Sequence, residues 1–181
     1  MKKLFFLPIL FISTFTFAQM GEQFPDMEGN SLTDELISIP DATKGKYTLV
    51  GVAFSKKAED DLKSWFQPIY EAYVMEADPN ALIPEMKPDV NVVFIPMFTG
   101  LKRGASKAAT KKMQEGIDEK LHPNVMVYSG SMSDYDDILG LEDKELPYFF
   151  VLDKAGKIIY ATDGKASNKK LNDIDELVNE F

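Results

Sequence analysis

The order of segments predicts an α/β sandwich with a mixed central sheet, and three observations carry that expectation. Residues 47–54 (YTLVGVAF) and 90–97 (VNVVFIPM) are largely apolar runs of the length and β-branched content of strands buried on both faces. Between them Leu62, Trp65, Phe66, Ile69, Tyr70, Tyr73 and Val74 recur at helical spacing, forming one amphipathic stripe. Residues 148–152 (YFFVL) and 157–161 (KIIYA) flank Asp153-Lys-Ala-Gly156, whose Asp and Gly suit a hairpin turn. Two strands joined through a helix, then an antiparallel hairpin and a last helix, give a sheet of about five strands flanked by helices.

The chain opens with Lys2 and Lys3, an apolar run from Leu4 to Phe17, and Thr16-Phe17-Ala18 at the positions a signal peptidase reads. Residues 1–19 are expected to be a secretory signal cut near Ala18 or Gln19; the run is shorter than the ~20 apolar residues of a spanning helix. Residues 20–181 are then one domain, exported to the periplasm or secreted, with no later segment apolar enough to span a bilayer. Residues 21–46 are rich in turn formers and acids, with apolar islands at Phe24 and 36–39, and read as an N-terminal hairpin or loop extension. Pro68 predicts a kink in the long helix. A proline-bearing loop (Pro79, Pro84, Pro88) leads to the second strand. After it come a polar helix over 106–120 carrying Ala109, Met113 and Ile117, a short strand at 125–128 and a short helix at 134–139. The closing helix spans 168–180, with Leu171, Ile174, Val178 and Phe181 on its apolar face.

Composition excludes more than it assigns. There is no cysteine, so no thiolate exists for disulfide exchange or peroxidation, none can anchor a lipid, and no disulfide holds the fold. With 20 Lys and Arg against 29 Asp and Glu, the net charge is −9, and losing Lys2 and Lys3 deepens it. A chain this acidic lacks the basic surface that nucleic acid or anionic lipid requires, so both are set aside as partners.

Residues 21–26 (GEQFPD) with Gly29, then 44–54 (KGKYTLVGVAF), resemble the opening of TlpA-like and peroxiredoxin-like members of the thioredoxin superfamily. Residues 146–158 (LPYFFVLDKAGKI) resemble their proline, strand and Asp-x-x-Gly hairpin. The resemblance implies a thioredoxin-like fold and, for Pro147, a cis peptide bond facing the active-site cleft. Where those families place a redox cysteine, this chain reads Phe54-Ser55-Lys56-Lys57-Ala58-Glu59. A narrower resemblance joins 138–144 (ILGLEDK), 148–153 (YFFVLD), 156–161 (GKIIYA), 164–167 (GKAS), and the stretch from Phe54-Ser55 through Trp65-Phe66-Gln67-Pro68, to the mitochondrial ATP synthase Fo-sector assembly-factor family. That family is thioredoxin-like without the redox pair, which implies a non-redox, assembly-type role.

Candidate site residues follow from these readings. Ser55, Lys56 and Lys57 stand at a helix start able to hold an anion, although Ser55 is first an ordinary N-cap. Leu146 and Pro147 form the opposite lip of the expected cleft. His122 is the single histidine and lacks a partner motif, which places it in a surface loop. The acidic groups at 59–61, 134–137 and 173–176 lack the spacing of a calcium loop, and Trp65 belongs to the core stripe. No metal or cofactor is expected. The favoured function is a binding or assembly module that holds a protein or peptide partner in the cleft by backbone contacts. The alternatives are an envelope enzyme using Ser55 or Lys56 without thiol chemistry, and a small-ligand carrier whose 13 Phe and 7 Tyr line a pocket.

Overall fold

Seven strands form one sheet in the order β2-β1-β5-β4-β3-β6-β7. The computed structural model describes residues 20–75, 87–131 and 135–179, and of Asp137 the backbone. The expected signal at 1–19 therefore lies outside the described residues. The strands are β1 (Met27–Ser31), β2 (Leu36–Ile39), β3 (Tyr47–Ala53), β4 (Val90–Thr99), β5 (Met126–Gly130), β6 (Tyr148–Leu152) and β7 (Ile158–Asp163). The helices are α1 (Lys56–Ile69), α2 (Ser106–Gly116), α3 (Asp136–Leu139) and α4 (Asn168–Asn179).

β3 lies inside the sheet, parallel to β4 (Val50 opposite Val93) and antiparallel to β6 (Val50 opposite Phe150). The parallel pairing, the antiparallel β6–β7 hairpin and the helices on the sheet are the architecture expected of a thioredoxin-like fold. The strand count exceeds the expected five because the N-terminal hairpin does not stay apart. β1 pairs antiparallel with β5 through Asn30–Val127 and Ser31–Met126, which makes the hairpin continuous with the main sheet.

Alternation along the strands divides the core between the two faces. One face carries Val50, Val52, Ile95 and Phe150 under Phe24, Met27, Ile39 and Leu139. The other carries Leu49, Phe94, Phe149 and Val151 under Leu62, Trp65 and Ile69 of α1 and Ile174 and Val178 of α4. The helical stripe thus buries as expected: Trp65 is fully buried and stacks on Phe149, with centroids 4.1 Å apart and planes 7° from parallel. Its Nε1 donates to the Gly164 carbonyl at 3.0 Å. Gly51 permits this close approach, since a Cβ there would meet Leu62 at 2.8 Å, Phe94 at 3.1 Å and Phe149 at 3.2 Å.

Pro68 lies inside α1, and the helix then widens into a turn over Tyr70–Val74 in which Met75 N–H reaches back to the Tyr70 carbonyl at 2.7 Å. That wider turn follows directly on the position where proline removes a donor. α2 is shorter than expected, ending at Gly116, and buries none of its residues fully.

The first described residues form a strap. Gly21 N–H bonds the Ile158 carbonyl at 2.7 Å, Ile158 N–H returns to Glu22 at 2.9 Å, and Phe24 N–H bonds Gly156 at 3.0 Å. The Phe24 ring then meets Phe150 edge-on at 5.8 Å before the chain enters β1, three strands beyond β3 on the opposite side of the sheet from β7.

Candidate functional site

β3 ends at Ala53, and the chain turns through Phe54 and Ser55 into α1 at the end of the sheet where β6 begins. Ser55 has extended backbone (φ −129°, ψ 164°), and its Oγ accepts the Ala58 N–H at 3.1 Å. It is therefore the N-cap of α1, satisfying one of the donors a helix start leaves open.

Lys56 and Lys57 are exposed on the first turn. Lys56 lies 3.0 Å from Asp60 and 3.7 Å from Glu59; the hydrogen bond to Asp60, foremost, raises its pKa above the usual lysine value, so it stays protonated. Lys57 crosses to the other lip, donating to the Glu145 carbonyl at 3.1 Å, with Asp61 at 3.8 Å behind it. Ser55, Lys56 and Lys57 on one side and Leu146 and Pro147 on the other are thus brought together at one end of the sheet by the Lys57 bridge.

The Pro147 lip departs from expectation in one respect. Among the described residues the cis peptide bond is Ile39–Pro40, and Leu146–Pro147 is trans. A turn closed by Leu146 N–H on the Asp143 carbonyl at 3.2 Å delivers the chain into β6 in extended form, and the Pro147 carbonyl accepts the Gly164 N–H at 2.8 Å. Pro147 is buried and Leu146 half-buried, so Leu146 and the lysines offer more surface to a visitor than the proline does. Behind the lips Tyr148 meets Phe54 edge-on at 6.4 Å and accepts the Asp143 N–H at 2.8 Å. Burial, above all, pushes the Tyr148 phenol pKa up.

Two further cations reach this end of the sheet without a local sequence signal. Lys102 donates to the Phe54 carbonyl at 3.2 Å and Arg103 Nε to the Gly130 carbonyl at 2.9 Å. Both come from the turn Gly100–Ala105 after β4, and only the parallel β3–β4 and β4–β5 pairings bring that turn beside the ends of β3 and β5.

Among the described residues nothing in this geometry activates a nucleophile. Ser55 Oγ is engaged with backbone, and Lys56, Lys57 and Lys102 all act as donors. The remaining candidates lie apart from it. His122 is half-buried with Nε2 3.1 Å from the Ile117 carbonyl. Asp173 and Asp175 receive hydrogen bonds from Tyr160 and Tyr73, and Asp134 lies outside the described residues. Among the described residues no group of three or more His, Asp or Glu is placed to hold a metal ion, and no helix is long and apolar enough to cross a membrane.

Several solved structures share this fold. The thioredoxin domain of a thiol-disulfide oxidoreductase from Bacteroides vulgatus is 20% identical and superposes with a TM-score of 0.56 over 88% of this chain and 98% of that one. The exposed lipoprotein thioredoxin Etrx1 of Streptococcus pneumoniae is 19% identical, with a TM-score of 0.55 over 87% and 100%. A secreted thiol-disulfide isomerase from Corynebacterium glutamicum is 19% identical, with a TM-score of 0.57 over 87% and 86%. At these identities the likeness establishes the thioredoxin-like fold alone. None of the curated proteins matches this chain. The profile of the ATP10 protein family matches residues 4–181, and with the fold present and every thiol missing, the chain belongs to the ATP10 protein family as a non-redox thioredoxin-like member.

Proposed function

We propose that this protein is a partner-holding, assembly-type module of the cell envelope, and that its docking cleft lies between the Ser55–Ala58 turn and the Leu146–Pro147 lip. The observation that carries the reading is the state of the cleft. Lys57 joins the start of α1 to the Glu145 carbonyl beside Leu146 and Pro147, and the helix start where the resemblance puts a redox cysteine holds instead a capping serine whose oxygen is already engaged. Such a site keeps exposed lysines and a half-buried leucine for binding while lacking the group that turns thioredoxin-like relatives into catalysts. The export half of the proposal rests on Lys2, Lys3 and the apolar run that follows, and the partner-holding half agrees with membership of the ATP10 protein family.

The test is affinity capture of the processed protein from the envelope fraction of its own cells, with Lys57→Glu and Leu146→Asp as paired controls. Both changes fall on side chains that are not fully buried, whereas Pro147→Ala would probe the fold as much as the lip. A discrete partner retained by the wild type and lost in both variants supports the cleft; a partner kept equally by all three refutes it. Sequencing the N-terminus of that same protein tests export: a start at residue 19 or 20 is expected, and a start at Met1 overturns it.

A further inference from the structure

We propose that the groove between α1 and α2 is a second docking surface, which takes an acidic amphipathic segment of a protein partner. It goes beyond the cleft reading and stands whether or not the cleft is occupied.

The groove, about 250 Å³, has an apolar floor that includes Leu62, Phe66, Pro96, Met113 and Ile117. Its openness follows from the sequence of α2. That helix lines the groove with Ala109 and Gly116, too small to close the gap, and Met113 and, just past its end, Ile117 pack half-buried against the core. Apolar surface is left accessible between the two helices. At this volume the groove falls below the ~300–1,000 Å³ of small-molecule sites and suits a few apolar side chains projecting from a helix or extended chain.

Charge selects the occupant. Residues 100–114 hold Lys102, Arg103, Lys107, Lys111 and Lys112 and no acid, in a chain of net charge −9. The whole-chain balance that argued against a basic surface conceals this local one. Lys102 and Arg103 are engaged with backbone carbonyls. Lys107, Lys111 and Lys112 take part in none of the nine ion pairs and no hydrogen bond found among the described residues. On the facing wall Lys56 and Lys63 are already held by Asp60. The groove is therefore neutralised on its α1 side and net positive on its α2 side, where Lys107, Lys111 and Lys112 outnumber Glu115 and Lys112 lines it. An acidic segment, repelled by most of this protein, finds its complement here, and that contrast fixes both the place and the orientation of docking.

Two other macromolecular classes fit less well. A bilayer surface is flat and cannot enter a slot between helices, and a nucleic-acid backbone brings no apolar side chain to the floor of Leu62, Phe66 and Met113.

The probe is a synthetic amphipathic peptide about four helical turns long, with Leu on one face and Glu elsewhere, titrated into the isotope-labelled processed protein and followed by amide and methyl shifts. The expected result is saturable shifts at Phe66, Met113 and Ile117. Lys112→Glu should weaken binding about fivefold and the Leu/Lys counterpart peptide should bind about tenfold more weakly than Leu/Glu. Ala109→Trp, which fills the slot, should abolish the shifts, and Lys57→Glu in the cleft should leave them unchanged. Lys112 is exposed and makes no ion pair among the described residues, so its replacement should leave the fold intact. Equal binding of the two peptides, shifts confined to other residues, or groove shifts given by dodecanoate or phosphatidylglycerol vesicles and not by the peptide would each overturn the proposal.

Discussion

Replacing Trp65 separates two contributions that the structure assigns to one side chain. The indole is fully buried, stacks on Phe149 at 4.1 Å, and donates through Nε1 to Gly164 at 3.0 Å. Around that carbonyl the polar groups are fully accounted for: Lys170 Nζ donates to the flanking carbonyls of Asp163 and Lys165, the latter at 2.9 Å, and lies 5.8 Å from the Trp65 ring centroid. Trp65→Ala removes stack, volume and donor together and should cost about 3–5 kcal/mol. Trp65→Phe keeps an aromatic ring over Phe149 but leaves the Gly164 carbonyl without its donor, a loss of about 1–3 kcal/mol. With a urea dependence of about 1–3 kcal/mol per molar, the Phe variant should lower the midpoint by roughly 1 M and the Ala variant by more, at unchanged slope. The transition is followed by far-ultraviolet circular dichroism, because both variants remove the single tryptophan. If Trp65→Phe unfolds with the wild-type midpoint while Trp65→Ala does not, the hydrogen bond contributes nothing and the assignment fails. If both match wild type, Trp65 is not in the core at all.

Three further outcomes are expected. Gly51→Val should destabilise by about 1–3 kcal/mol, since the added atoms overlap Leu62, Phe94 and Phe149, and Gly51→Ala by less; thermal melts check the order. Ser55→Ala should cost about 1 kcal/mol by removing the cap on Ala58 N–H, measured by denaturant unfolding; a loss near zero would mean that water replaces the cap without penalty. Tyr73→Phe should flatten the alkaline loss of stability. Burial first, and the charge of Asp175 second, hold the folded phenol above its ordinary value of about 10, so above that pH the unfolded state releases a proton that the folded state keeps, and stability falls as pH rises. Lys170, whose pKa burial lowers, acts in the opposite direction and is common to both proteins, so the comparison of wild type with Tyr73→Phe isolates the tyrosine. Identical slopes above pH 10 would refute the assignment.

What the sequence made legible was local. The buried runs became β3 and β4, the helical stripe buried Trp65 against the sheet, and Asp153 and Gly156 formed the expected turn between β6 and β7, with Gly156 at φ +84°. Ser55 is the N-cap that its residue type announced. What stayed hidden depends on contacts between distant residues. The joining of β1 to β5 rests on two register pairs nearly a hundred positions apart, with no periodicity to betray it. Lys102 reaches Phe54 only because parallel strands end at the same side. The bond before Pro147 follows a turn closed by Leu146 N–H on the Asp143 carbonyl and is trans, where the motif resemblance implied cis. The basic run at 100–114 escaped notice for a different reason, since averaging over an acidic chain erases a surface that matters only where it sits.

The strap over residues 21–24 also has a temporal meaning. Gln23 hydrogen-bonds the carbonyl of a residue 133 positions later, and Phe24 waits on Phe150 for its burial. A ribosome releases the beginning of this domain long before it makes the hairpin that receives it, so the first segment has no native home until synthesis is nearly complete. A polypeptide whose opening cannot lock early must leave Phe24 without its native packing until residues 148–158 emerge.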